Sequence, residues 1–318
     1  MALNTDFLNA MTREHVMKGG LVDNALQVST FMDRLKKRGK KQWNSGLKFR
    51  IPLRYKVDKK GGAYGKGDEK VYAHREFATH ALYEIKHYSE PLVLLNIDLN
   101  MNQGEEQIAN LLTETIKDAM ESMDEALYTD FFRDTSAVVD NRSIMMLSQD
   151  HLLDQTTSTA YGDIAANDFS GWLANVDSTT TLATLTPTLL LNKVRALQKG
   201  KAINQKPSIG VGTQTIFNKV EELEIDKQRG GYNNTLNLGV EYINVHGVPI
   251  IIDDQQRAGH LVFYNENYFF MFVLKGDDFV MQPWQESETA RGIVSDYTAS
   301  VNTGCSRRDV HGGFTGLV

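Results

Sequence analysis

The chain is short of the residues that cross-link, break or sink a fold into lipid. Cys305 is the single cysteine in 318 residues, which excludes an internal disulfide and fits a reducing cytosol. The six prolines are thinly spread, and no Pro- or Ser-rich linker divides the chain into beads. No run reaches the roughly eighteen apolar residues of a membrane span; the richest, Leu261 to Leu274, is broken by Asn265, Glu266 and Asn267. The opening residues, Met1-Ala2-Leu3-Asn4-Thr5-Asp6, lack a positive region followed by an apolar core, so no secretion signal is expected. With 41% hydrophobic and 23% charged residues, the composition is that of a soluble globular protein with room for one elaborated domain or two simple ones.

Catalytic motifs are missing as well. A Walker loop ending at Gly65-Lys66 needs glycine at 60 and Ser or Thr at 67, where the chain has Lys60 and Gly67. Gly210-Val211-Gly212 lacks the third glycine of a dinucleotide site, which falls on Thr215, and reads as a tight strand-to-helix turn. His74, His80 and His87 lie six and seven apart on extended chain, without the helical register of a zinc enzyme. Asp253-Asp254 ends a strand and reads as a turn cap. No serine sits on a Gly-x-Ser-x-Gly elbow. Cys305, close to Arg307 and Arg308, reads as a buried bystander thiol. The expectation is a non-enzyme with no catalytic residues, no cofactor and no metal.

What the chain does have is charge, unevenly placed. Residues 34–70 carry fourteen Lys/Arg against three Asp/Glu, while the whole chain has a net charge of −6. Everything outside that window holds twenty Lys/Arg against thirty-seven Asp/Glu, a net of −17. Inside it, alternation from Gly46 to Val57, a Gly/Lys-rich turn at 60–67 and a second extended run from Glu69 to Phe77 form a β-hairpin signature. Strands of about twelve residues would reach roughly 40 Å, and an isolated two-stranded hairpin is barely stable in water. A long basic hairpin of this kind is expected to lie on another copy of the chain.

Around the hairpin the periods are clear. Leu21 to Arg38 sets Val22, Ala25, Leu26, Ser29, Met32 and Leu35 on one helical face, closing with Lys36-Lys37-Arg38-Gly39. This helix is expected to be an arm whose apolar stripe needs a partner surface. The hairpin's return strand continues through Leu82, Ile85 and Lys86 to Leu95. A long helix over 104–133, with Ile108, Leu112, Ile116, Met123 and Leu127 on its apolar face, would measure about 45 Å. Residues 104–134 hold nine Asp/Glu against Lys117 and Arg133. Later come helices at 188–199 and 213–223, strands at 207–212, 240–245, 248–252, 260–264 and 268–274, and an extended tail.

This order of parts resembles the major capsid proteins of tailed bacteriophages with the Hong Kong 97-like shell fold. The resemblance rests on Tyr88-Ser89-Glu90-Pro91-Leu92, then Asn102-Gln103-Gly104-Glu105-Glu106, then Tyr161-Gly162-Asp163-Ile164 before Trp172. It continues with Val245-His246-Gly247-Val248-Pro249-Ile250-Ile251-Ile252-Asp253 and closes with Asn302-Thr303-Gly304-Cys305-Ser306-Arg307-Arg308, Gly313 and Thr315-Gly316. It covers roughly 45–318; the arm does not align, and the loop is unusually basic. It implies an α+β major capsid fold: an N-terminal arm (1–45), an extended β-hairpin loop (46–80), a peripheral domain (81–140 and 278–318) with a spine helix (104–133), and an axial α/β domain (141–277).

The function so implied is that of a capsid subunit, self-assembling as hexamers and pentamers into an icosahedral head around double-stranded DNA bound without sequence specificity. A separate scaffolding protein, a portal and a decoration protein are the further partners expected, with no membrane, a virion location and assembly in the host cytoplasm. The candidate inter-subunit contacts are Arg50, Arg54, Lys56, Lys59, Lys60, Lys66 and Lys70 on the loop and Glu114, Asp118, Glu121 and Glu125 on the helix. No Lys–Asn pair for covalent cross-linking stands out. Two alternatives are an encapsulin-like compartment shell and a nucleic-acid-binding protein using basic residues 34–70.

Overall fold

The computed structural model describes residues 29–44, 46–54, 65–66, 78–97, 105–135, 144–167, 169, 171–198, 206–225, 242–287 and 291–318. The first helix, α1 (Thr30–Arg38), starts at Ser29, whose hydroxyl accepts the Met32 N–H, and stops at Gly39, whose N–H reaches the Leu35 carbonyl at 2.7 Å. Lys36, Lys37 and Arg38 fill the last turn, where cations meet the negative end of the helix dipole. The part predicted over 21–28 lies outside the described residues.

Two six-stranded sheets organise the rest. The first is built around β13 (Gly292–Cys305). One edge of β13 pairs antiparallel with β4 (Lys86–Leu95) from Gly292 to Val301. The other edge takes β12 (Gln285–Glu286), β11 (Val280–Met281) and β10 (Phe269–Leu274) in turn, and β1 (Lys40–Trp43) runs parallel to β10. The second sheet has the order β5 (Asn175–Asp177), β14 (Gly312–Phe314), β9 (Leu261–Tyr264), β6 (Ile209–Gly212), β8 (Val248–Ile252), β7 (Tyr242–Val245). His246 and Gly247, both at positive φ, make the two-residue turn between β7 and β8.

The spine helix is present as α2 (Glu105–Phe132), 28 residues long. Among its described side chains Ala119, Met123, Leu127, Tyr128 and Phe131 are buried, at the three- and four-residue steps of one face. Leu112 and Ile116 are only half-buried, so the buried stripe lies further along than the sequence reading placed it, and the Ile108 side chain lies outside the described set. Helices α4 (Pro187–Leu197) and α5 (Gln214–Ile225) cover the second sheet through Leu190, Val194, Leu197, Ile216 and Val220. A short helix, α3 (Gln149–Leu153), follows α2. The main core runs through both sheets, from Phe272 and Val301 to Val211 and Val262.

Three expectations are corrected. Residues 30–43 are not a free arm: Phe31, Met32 and Leu35 are buried in the chain's own core, Phe31 stacking on Tyr264 at 4.3 Å, and β1 extends the first sheet. The hairpin root is not self-insufficient either. Strands β2 (Lys48–Arg54) and β3 (Ala78–Glu84) bury Ile51, Leu53, Ala81 and Tyr83 in that core, and Phe49 stacks on Phe272 at 4.2 Å. Tyr83 donates its hydroxyl proton to the Cys305 carbonyl at 2.6 Å and accepts the Cys305 N–H at 3.2 Å. A Cβ at Gly304 would come within 2.8 Å of the Tyr83 ring, so a bare backbone is needed for this seat. Finally, the sheets divide the chain differently from the expected domains. Strand β10, expected in the axial segment 141–277, is wholly apolar and lies between β1 and β13, whereas β14, expected in the peripheral segment 278–318, lies between β5 and β9.

A spine position sensitive to charge is Leu127, fully buried among core side chains. Leu127→Asp should cost more than about 4 kcal/mol, enough to unfold a marginal domain, and should abolish the far-UV circular dichroism of the native helix. A native spectrum and an unchanged urea midpoint would contradict this packing.

Candidate assembly surfaces

The hairpin leaves the body as a two-stranded ribbon whose outward residues are Arg50, Pro52 and Arg54, all exposed. Lys48, at its root, is held by Asp163 at 2.9 Å and Glu84 at 3.2 Å, hydrogen bonds that raise its pKa. A cleft of about 660 Å³ opens beside it, lined by Trp43, Leu47, Lys48, Phe49, Arg50 and Leu82. Lys66 is exposed in a short turn. Lys56, Lys59, Lys60 and Lys70, the other candidate contacts of the loop, lie outside the described residues, as does His74.

On the spine helix the candidate acids are not equivalent. Asp118 and Glu121 are exposed, whereas Glu125 is half-buried and Glu114 is turned toward Lys117 at 3.1 Å. The intervening Asp124 is bound to Lys36 of α1, and burial pulls the Lys36 pKa down against that ion pair. The structure does not bring the described hairpin cations onto these acids within one chain.

The basic window is therefore two different things. Arg34 makes a two-pronged ion pair with Glu266, its second contact at 2.9 Å, Lys36 pairs with Asp124, and Lys40 pairs with Asp278. Lys41 lies over the Phe270 ring at 3.3 Å. These cations knit α1 and β1 to their own body, which takes them away from the nucleic-acid alternative over 34–70. A phosphate would have to displace partly buried carboxylates to reach them.

Several polar groups are locked into the core. Asp253, read as a turn cap, does accept the Gln255 N–H at 3.1 Å, but it also accepts the Ser29 hydroxyl at 2.7 Å and the Phe31 N–H at 3.2 Å. It thus caps α1 from 224 residues away. Ser29, placed on the apolar face by the sequence reading, is the N-cap; a Ser immediately ahead of a helical run is the signal that could have shown it. Burial drives the Asp253 carboxyl up to about 6 in spite of its three donors. Arg308 is buried with its guanidinium spent on the carbonyls of Leu152, Trp172, His151 and Asp154. The Cys305 thiol, pushed up to about 12 by burial, is as inert as expected.

One Asp–Ser–His contact among the described residues invites comparison with a nucleophilic triad. Ser300 donates to Asp277, and His87 Nδ1 sits 2.7 Å from the Ser300 hydroxyl, but the serine lies between acid and imidazole and is fully buried. In a nucleophilic triad the imidazole stands in the middle. His80 is exposed on β3. Among the described residues no three His, Cys, Asp or Glu side chains are grouped as metal ligands.

Comparison with solved structures decides the fold. The chain superposes along 97% of its length on 99% of a subunit from the cyanophage A-1(L) capsid asymmetric unit, with a TM-score of 0.68 at 13% identity. The chain has the Hong Kong 97-like shell fold. The same shell fold relates it to the capsid of a native GTA particle (TM-score 0.63, 12% identity, 97% of this chain and 99% of that one). It also relates it to the holo-SrpI encapsulin of Synechococcus elongatus (TM-score 0.55, 9% identity, 95% and 93%). No family model and no curated protein sequence matches the chain.

The raised Asp253 pKa has a definite sign. The folded value, about 6, lies above the ordinary value of 3.8, so the group's contribution to stability is fully present below the unfolded pKa and is lost as pH rises through about 6. The total is about 3 kcal/mol at 1.36 kcal/mol per unit. Asp253→Asn lacks this titration. Urea midpoints should show the Asn variant gaining on the parent by up to about 3 kcal/mol between about pH 4 and about pH 7. A gap that does not change with pH would contradict it.

Proposed function

We propose that the chain is a major capsid protein, a structural subunit that builds hexamers and pentamers and closes them into an icosahedral phage head around double-stranded DNA. The observation that carries this reading is the end-to-end superposition on a cyanophage capsid subunit, which leaves almost none of either chain over. In this reading the extended loop, from Arg50 and Arg54 outward through Lys56, Lys59, Lys60, Lys66 and Lys70, lies over the adjacent subunit. The acids facing it are Asp118 and Glu121, with Glu114 and Glu125 at the margins. A separate scaffolding protein, a portal and a decoration protein complete the head, which assembles in the host cytoplasm and resides in the virion.

An encapsulin-like compartment is the second reading, favoured by one observation: the encapsulin superposes over 95% of this chain. The contents separate the two. Particles from infected cells should carry nuclease-protected double-stranded DNA if the chain forms a phage head, and enzyme cargo without such DNA if it forms a compartment.

The loop charges give a sharper test. Exposed ion pairs contribute only about 0–1 kcal/mol each, but repeated around a closed shell they set register and salt sensitivity. Changing Lys59, Lys60 and Lys66 together to Glu should leave the circular dichroism of the subunit unchanged and reduce the yield of sedimenting particles. Normal particle yield from that variant would remove the loop tip from the assembly contacts.

A further inference from the structure

Among the described residues strand β4 has one neighbouring strand. It pairs with β13 along ten residues, and among the described residues no strand pairs with its other edge. The direction of its backbone groups follows from one hydrogen bond. The Asn96 N–H reaches the Arg291 carbonyl at 2.9 Å, which makes the neighbouring pair Leu95–Gly292 a non-hydrogen-bonded one. Odd-numbered residues of β4 therefore aim their N–H and C=O away from β13, toward the open edge. Pro91, which has no N–H, falls on an odd position, so it costs the β13 ladder nothing and takes one donor off the open edge.

An open edge of this length is usually blunted by shortness, charge or a bulge. The other edges are: β7 and β1 have four residues each, β5 has three, and the seven-residue hairpin strand β2 presents Arg50 and Arg54. The open edge of β4 carries the opposite kind of side chain. Val93 is 51% exposed and Leu95 38%, with Ile97 just beyond at 50%, all among the large exposed hydrophobics of the chain. Pro91 shares their outward face.

We propose that the open edge of β4 pairs, strand to strand, with the same edge in a second copy of this chain, antiparallel and centred on Val93. The inference rests on the reading that the chain assembles with itself. The sequence of the edge suits its own mirror register. With Val93 opposite Val93 of the second copy, Pro91 faces Leu95, and the pairing stops there because Asn96 and Ile97 already turn into a helix. The inner face sets Leu92 against Leu94. The paired stretch 91–95 carries no charge, and its outer face becomes a short ladder of apolar cross-strand pairs. Two-fold pairing of identical patches is the commonest closed symmetry, and here it would join the first sheets of two subunits into one.

Val93→Cys tests the centre of this contact. Directly opposed hydrogen-bonded residues lie about 5.5 Å apart at Cα, inside the roughly 4.4–6.8 Å that a disulfide spans. Cys305 is fully buried and does not compete. After mild oxidation, the assembled and unassembled fractions of full-length protein are run on non-reducing gels beside Ile144→Cys, a control at a position 62% exposed and far from β4 in sequence. The expectation is about tenfold more disulfide dimer from Val93→Cys than from the control, with position 93 of one chain joined to position 93 of the other in the peptide map. Val93→Lys, which sets two like charges face to face, should reduce pairing by a similar factor. Dimer no more abundant than in the control would overturn the contact. Particles without the cross-link would overturn it while leaving the capsid reading intact; cross-linked pairs without particles would support the contact while the capsid reading fails.

Discussion

A fourteen-residue strand with both edges paired is the constraint on which the rest of this structure depends. Along one edge β13 holds β4 in an unbroken register, and along the other it collects β12, β11 and β10 from a stretch of chain that doubles back beside it. The neighbours of the first sheet are attached to this frame. The spine helix packs on the inward side chains of β4, the first helix reaches it through β1 and β10, and the hairpin is seated by Tyr83 against the backbone at Cys305.

The connection to the second sheet is made by buried polar groups as well as by apolar packing. Arg308, three residues beyond the end of β13, gathers carbonyls from the α3 turn and from Trp172 with no carboxylate among its hydrogen-bond partners. Its desolvation is offset only by well-aimed hydrogen bonds, so removing the guanidinium would strand several carbonyls at once. Asp253 does the same for α1, joining the end of β8 to the helix cap through Ser29. Such contacts fix the angle between parts more narrowly than hydrophobic burial, which is non-directional.

Much of the fold was legible in the sequence because local periods and local punctuation carry it. The three- and four-residue spacing of Met123, Leu127 and Phe131, and the β-branched runs around Val248 and Val262, name their elements without help. The basic helix ending at Gly39 was equally plain. What could not be read was partnership. Nothing near Ser29 announces Asp253, and nothing in Ile51 or Leu53 says whether their partner is the same chain or a neighbour. The basic window misled for the same reason: Arg34, Lys36 and Lys40 look like an exposed charged arm until Glu266, Asp124 and Asp278 arrive from distant parts of the chain. The resemblance placed the parts in order but divided the domains by sequence, where strands β10 and β14 cross over.

For the molecule's role, the division within the basic window matters most. In its first part Arg34, Lys36 and Lys40 are internal cement, whereas Arg50 and Arg54 on the hairpin are exposed, beside a strand whose outer edge no described strand pairs. Electron cryomicroscopy of the purified full-length protein tests this most directly. The account predicts closed icosahedral particles in which each subunit keeps β13 at the centre of its first sheet and sends residues 55–77 over a neighbour. A population of monomers or open aggregates with no closed particle, or particles in which 55–77 folds back on its own subunit, would contradict it.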